Sequence, residues 1–145
     1  LRSWNFHTYR AVSVKEAVTI SGVGLHSGKT TTIIIKPALA NSGIEFVRTD
    51  LEKPVKIAAT VNYVSSTERS TTLKKGTATV QTVEHILAAL AGLQIDNASI
   101  EVEGEEIPIL DGSALPFINA ILEKGTTEYR NATLTICSAM FSISN

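Results

Sequence analysis

The segment Gln81-Thr82-Val83-Glu84-His85-Ile86-Leu87-Ala88-Ala89-Leu90-Ala91-Gly92-Leu93 has no side that an ordinary surface helix would turn to water. At 100° per residue, Val83, Ile86, Leu87 and Leu90 fall within about a 100° arc, the stripe that packs on a sheet. His85 lies roughly 200° round from Val83. Its neighbours on that far face are Ala88, Ala89 and Gly92, with Gln81 one turn earlier. Between Gly76 and Asp96 the only formally charged side chain is Glu84. A helix that is apolar or small on nearly every side is covered on nearly every side. A sheet can take one face, so a second domain, a partner subunit or a substrate takes the other. His85 then projects into that crevice, beside Glu84.

Each of these features also has a purely structural reading. The macrodipole favours a first-turn carboxylate wherever it occurs, a lone histidine is commonly structural, and alanine ranks first in helix propensity. Taken together they point to a site. Chemistry limits what that site can be. A catalytic zinc takes three protein ligands and keeps a fourth position for water. The other histidines are His7 and His26, no His-Glu-x-x-His helix is present, and Cys137 is the single cysteine. Neither an intrachain disulfide nor a thiolate-rich metal site can form. From spacing alone the chain offers one ligand, and any metal site needs completing from elsewhere.

Period-two and β-branched segments predict strands over residues 17–21, 30–36, 44–48, 55–61 and 98–102. Residues 72–73 and 77–80 flank Lys74-Lys75-Gly76, a hairpin turn. A second helix follows Asp111-Gly112-Ser113, with Ser113 as N-cap and Pro116 in the first turn, and stops at Lys124-Gly125. The pattern is α+β: a two-layer sandwich, one mainly antiparallel sheet covered on one face by two helices. With 145 residues, 43% of them hydrophobic, one compact domain is expected. Residues 1–14 read as an N-terminal extension, 15–125 as the domain, and 126–145 as a tail or the start of a missing second domain.

Thirteen basic residues against fourteen acidic ones leave a charge of −1, with none of the clustered basic footprint that nucleic acid requires. The longest apolar run, residues 86–91, is far short of a transmembrane helix. The N-terminus lacks a secretory apolar core and an initiator Met, so the chain reads as processed, truncated or a fragment.

Two loops invite motif readings. Gly22-Val23-Gly24-Leu25-His26-Ser27-Gly28-Lys29-Thr30 has the wrong glycine spacing for a Walker A or dinucleotide loop, and it joins two strands rather than opening a helix. A glycine-rich hairpin and a ligand-contacting loop both remain open, and His26 at the tip favours contact. Glu105-Glu106-Ile107-Pro108-Ile109-Leu110-Asp111-Gly112-Ser113 holds three carboxylates. Turn and capping chemistry accounts for Asp111 and Ser113, which argues against an acid/base pair.

Three segments resemble the UDP-3-O-acyl-N-acetylglucosamine deacetylases: residues 21–28, residues 82–90 and Glu106-Ile107-Pro108-Ile109-Leu110-Asp111-Gly112-Ser113-Ala114. Arg69-Ser70-Thr71-Thr72-Leu73 and Ile95-Asp96-Asn97 are similar too, and the likeness runs from about Lys15 to Gly125. It departs at Val12-Ser13-Val14 and beyond Gly125. The resemblance implies two similar α+β domains that sandwich an active site between helix layers. It further implies a cytoplasmic Zn²⁺-dependent amidohydrolase of lipid A biosynthesis acting on a UDP-linked acylated amino sugar. His85 would be a metal ligand and Glu84 the general base, with Leu25, His26 and Ser70 lining the substrate site. The other metal ligands and a proton-donating histidine would come from the second domain, so this half alone would be inactive. The alternative is a non-catalytic half-domain that binds a partner through its small-residue face.

Overall fold

A computed structural model describes residues 11–129. Its strands are β1 (Val12–Val14), β2 (Val18–Val23), β3 (Thr30–Lys36), β4 (Ile44–Arg48), β5 (Val55–Ala58), β6 (Val64–Ser66), β7 (Thr72–Lys75), β8 (Ala78–Gln81), β9 (Ala98–Val102) and β10 (Thr126–Glu128). Helix α1 spans Glu84–Gly92 and helix α2 spans Leu115–Lys124. The fold is α+β with mainly antiparallel sheets. The strands expected over 30–36, 44–48 and 98–102 fall where predicted; β3 and β9 alternate between a buried and an open face, whereas β4 ends in three successive buried residues.

The largest sheet has the order β2-β3-β9-β4-β5. All its pairs are antiparallel except β4 with β9. A parallel pair needs a long crossover, and here the crossover carries β5 to β8 and α1. Ile33, Ile35, Phe46, Ile100 and Val102 project from this sheet into one cluster with Ile86, Ala89 and Leu90 of α1 and Phe117 and Ile121 of α2.

Three sheets are present among the described residues, where the sequence pattern suggested one. Strand β5 ends at Ala58 instead of continuing to residue 61, since Val61–Tyr63 form a 3-10 turn. Val61 is 83% exposed, so its β-branched character extends the strand pattern past the point where the chain leaves the sheet. The chain then builds the separate sheet β6-β7-β8. Its β7–β8 turn is Gly76-Thr77, one step beyond the expected position, with Gly76 at φ 62°. Residues 12–14 and 126–128 pair with each other, and Val14 is fully buried in the common core.

The two larger sheets are joined by a buried cation. The Arg48 side chain donates twice to Asp50, from Nε to Oδ1 and from Nη2 to Oδ2, both at 2.8 Å. Its Nη1 donates to the Thr79 carbonyl of β8 at 2.8 Å. The paired hydrogen bond to Asp50 holds the guanidinium pKa above its ordinary value and the Asp50 carboxyl below its own.

Helix α2 starts one residue later than a Ser113 cap would place it. The Ser113 hydroxyl nevertheless accepts the Leu115 N–H at 3.3 Å, so it performs a capping role from just outside the helix.

Phe46 fills the centre of the cluster and Leu39 is 82% exposed. Phe46→Ala is expected to cost about 3–5 kcal/mol in a urea titration, while Leu39→Ala stays within about 0.5 kcal/mol.

Candidate functional site

Helix α1 begins without a side-chain cap: its N-cap residue is Val83, in helical geometry. The residue before it, Thr82, holds φ 61°. A β-branched residue rarely enters this left-handed region, because its branched Cβ crowds the backbone. The turn is held from two sides. The Val83 N–H donates to the Thr71 carbonyl at 3.3 Å, and the Thr71 N–H donates to Glu84 Oε2 at 3.1 Å. The segment 70–71 therefore clamps the first turn of α1, with Ser70 buried beside it.

Glu84 thus has one oxygen fixed by a backbone amide. Its other oxygen, Oε1, is buried and has no hydrogen-bond partner, and the same holds for His85 Nδ1. Buried polar atoms are normally paired. Two unpaired ones on consecutive residues mark a place where a further group belongs. His85 itself is half-buried, while Ala88, Ala91 and Gly92 are exposed. The far face of α1 is narrower than its sequence suggests: Ala89, expected there, lies fully buried in the core. The reason is that α2 packs against α1 and widens the buried arc beyond the sheet-facing stripe.

The loop between β2 and β3 is built on a carboxylate from a distant segment. Glu106 is 2% exposed. Its oxygens accept the His26 N–H at 3.0 and 3.2 Å, the Ser27 N–H at 2.8 Å and the Thr82 hydroxyl at 2.9 Å. Burial pushes the Glu106 carboxyl pKa up, but these donors together hold it below the usual carboxylate value. Gly24 makes room for this approach, because a Cβ there would collide with Glu106 Oε1. Gly28 turns the loop at φ 67°, donating its N–H to the Gly24 carbonyl at 3.0 Å.

Leu25, 60% exposed, and His26 stand on the outer side of this loop, and His26 is tied in by its backbone N–H. Glu106 thereby connects the predicted Leu25–His26 wall to Thr82, two residues before Glu84. The 105–109 segment extends the connection: the Ile107 N–H donates to the Gln81 carbonyl, and the Ile109 N–H to the Val23 carbonyl, both at 3.0 Å. A cavity of about 270 Å³ behind the loop is lined by Ser27, Thr31, Arg48, Asp50 and Glu106, and neither Glu84 nor His85 reaches it.

Asp111 takes the turn role expected of it. Its Oδ1 accepts the Ser113 hydroxyl at 2.7 Å and the Ser113 N–H at 2.9 Å. These bonds hold its carboxyl below the ordinary pKa. Among the described residues the left-handed non-glycine positions are Asn41, Arg69, Thr82, Gln94 and Leu110; Arg69 adjoins Ser70, Thr82 lies two residues before Glu84, and Leu110 adjoins Asp111.

Among the described residues, no three His, Cys, Asp or Glu side chains come together to hold a metal ion. His85 fits as one donor, since a buried, unpaired imidazole nitrogen suits zinc chemistry. No helix of the described residues is long and apolar enough to cross a membrane. Sequence reasoning gave Glu106 no role. The one local signal was its position directly before Ile107-Pro108-Ile109-Leu110, at the edge of the core.

A sequence model of the UDP-3-O-acyl N-acetylglycosamine deacetylase family matches residues 11–142. The UDP-3-O-acyl-N-acetylglucosamine deacetylase of Anaeromyxobacter sp. (strain Fw109-5) is 51% identical over 127 residues, covering 88% of this chain and 40% of the relative. That of Geobacter sp. (strain M21) is 50% identical over 107 residues, covering 74% and 35%. The Trichormus variabilis relative is 53% identical over 113 residues, covering 78% and 40%. The chain thus spans about two fifths of the length of these curated relatives.

A group whose folded pKa lies below its unfolded value adds stability above the unfolded pKa and loses it as pH falls through the folded one. Glu106 is such a group. The urea midpoint is therefore expected to drop as pH falls through and below the ordinary glutamate range. Glu106→Gln should be less stable at neutral pH and show a flatter profile in that window. Parallel profiles would remove Glu106 as the source of the acid loss.

Proposed function

The chain belongs to the UDP-3-O-acyl-N-acetylglucosamine deacetylase family, and we propose that it forms the N-terminal half of the zinc-dependent enzyme. That enzyme removes acetate from UDP-3-O-acyl-N-acetylglucosamine in lipid A biosynthesis. The observation that carries this reading is the pair at the start of α1: Glu84 with one oxygen held and the other unpartnered, beside His85 with an unpartnered buried nitrogen.

Glu84 is suited to be the general base. The Thr71 amide holds Oε2 and so orients the carboxylate, leaving Oε1 to accept a proton from the water that attacks the acetamide carbonyl. His85 is the ligand this half contributes to Zn²⁺, which when bound supplies Lewis acidity to water and carbonyl. Leu25 and His26 on the loop, and Ser70 beside Glu84, line the substrate site. A loop whose amides are already committed to Glu106 meets the UDP-linked acylated amino sugar with little reorganisation.

In this reading residues 15–125 make up most of the N-terminal domain, and the β1–β10 pair, residues 12–14 and 126–128, closes it at both ends. The architecture is a two-layer sandwich whose helix layer faces the second domain. The exposed Ala88, Ala91 and Gly92 allow close backbone approach there, and the second domain brings the remaining metal ligands. The complete enzyme works in the cytoplasm, where its soluble nucleotide-linked substrate is made. Without the second half the chain is inactive.

Replacing Glu by Gln at the position of Glu84 in the full-length Anaeromyxobacter relative is expected to lower kcat by about a hundredfold or more. Near-normal turnover would remove Glu84 from the role. The isolated chain, dialysed against micromolar zinc, should retain far less than one equivalent by metal analysis. Stoichiometric retention would show that its own residues complete a site.

A further inference from the structure

Glu106 is the common acceptor for two segments far apart in the chain: the loop 24–29, through the His26 and Ser27 amides, and residue 82, through the Thr82 hydroxyl. Burying an ionised carboxylate carries a desolvation penalty that hydrogen bonds must offset, and apolar residues of similar size often hold a fold as well or better. What these bonds organise here is an exposed loop, with Leu25 and His26 turned outward, and a Thr in left-handed geometry directly ahead of Glu84 and His85. The arrangement fits a site better than it fits a core.

We propose that Glu106 and Thr82 are positioning residues: one shared carboxylate fixes the Leu25–His26 loop against the first turn of α1, making loop and turn a single substrate wall. Three features support it. Gly24 leaves no room for a side chain between loop and carboxylate, so the register of the two is set by direct contact. Thr82 has φ 61°, and its hydroxyl bond to Glu106 joins the residue to the carboxylate that also holds the loop. The backbone bonds from Ile107 to Gln81 and from Ile109 to Val23 hold the Glu106 segment against both the turn and the loop strand. The function of this wall rests on the deacetylase reading, whereas its existence rests on the hydrogen bonds alone.

The test has two arms. In the ¹⁵N-labelled chain, Glu106→Gln should raise amide exchange at His26 and Ser27 by at least about tenfold more than at Ile35 and Ile100 of the central strands, which report the loss of global stability. In the full-length Anaeromyxobacter relative, Gln at the position aligned with Glu106 should raise KM by about fivefold or more, with kcat within about threefold and zinc content unchanged. Asp at that position keeps the charge and should recover part of the loss. Gly at the position aligned with Thr82 removes the hydroxyl and relieves the left-handed strain. It should leave the melting temperature equal or higher while lowering kcat/KM by about fivefold. That combination cannot come from a merely stabilising role.

Retained protection at His26 and Ser27 overturns the proposal, as does a Gly variant at full kcat/KM. If the Gln variant fails to fold, the Gly variant decides by the same criterion. Unchanged turnover on replacing Glu84 would defeat the deacetylase reading by itself, and the exchange arm would still decide whether Glu106 holds the loop.

Discussion

A single buried carboxylate, Glu106, holds together parts of the chain that local structure keeps separate. Its oxygens satisfy two amides of the β2–β3 loop and the hydroxyl that precedes α1. An ionised group at 2% exposure persists only where such donors replace the water it has lost. The dependence is mutual. The donors keep the carboxyl ionised against the upward push of burial, and the carboxylate gives the loop amides an acceptor that no strand or helix would offer.

From that node the site can be followed outward. Thr82 leads to Val83 and Glu84, and both are held a second time by Thr71, which accepts from one and donates to the other. The first turn of α1 is thus clamped on two sides without a cap of its own. Glu84 and His85 are left with one committed oxygen and two unsatisfied buried atoms. Rigid support beneath groups with free lone pairs is what proton transfer and metal ligation require. The cost is local strain at Arg69, Thr82 and Leu110. Beneath them lie the cluster of strand and helix side chains and the Arg48 bridge between two sheets.

The unusual composition of α1 also becomes intelligible. Ile86, Leu90 and Ala89 are consumed by the core, the last because α2 lies alongside. Ala88, Ala91 and Gly92 remain exposed. A helix with small residues on its open side can let another backbone come close.

Much of this was legible without coordinates, since strand and helix periodicity are local properties of neighbouring residues. β3 and β9 follow directly from alternating apolar positions, and Glu84 and His85 stood out because the helix around them lacks any other charge. The short strands β1 and β6 were not foreseen. Three residues carry too little pattern, and β1 exists only because β10, more than a hundred residues later, pairs with it. The division into three sheets, the burial of Ala89 and the role of Glu106 are of the same kind. Each depends on a partner remote in the chain, about 80 positions away for Glu106 and His26. Side-chain spacing encodes which face of an element is apolar, whereas the identity of the group that meets it is settled only when distant segments are packed together.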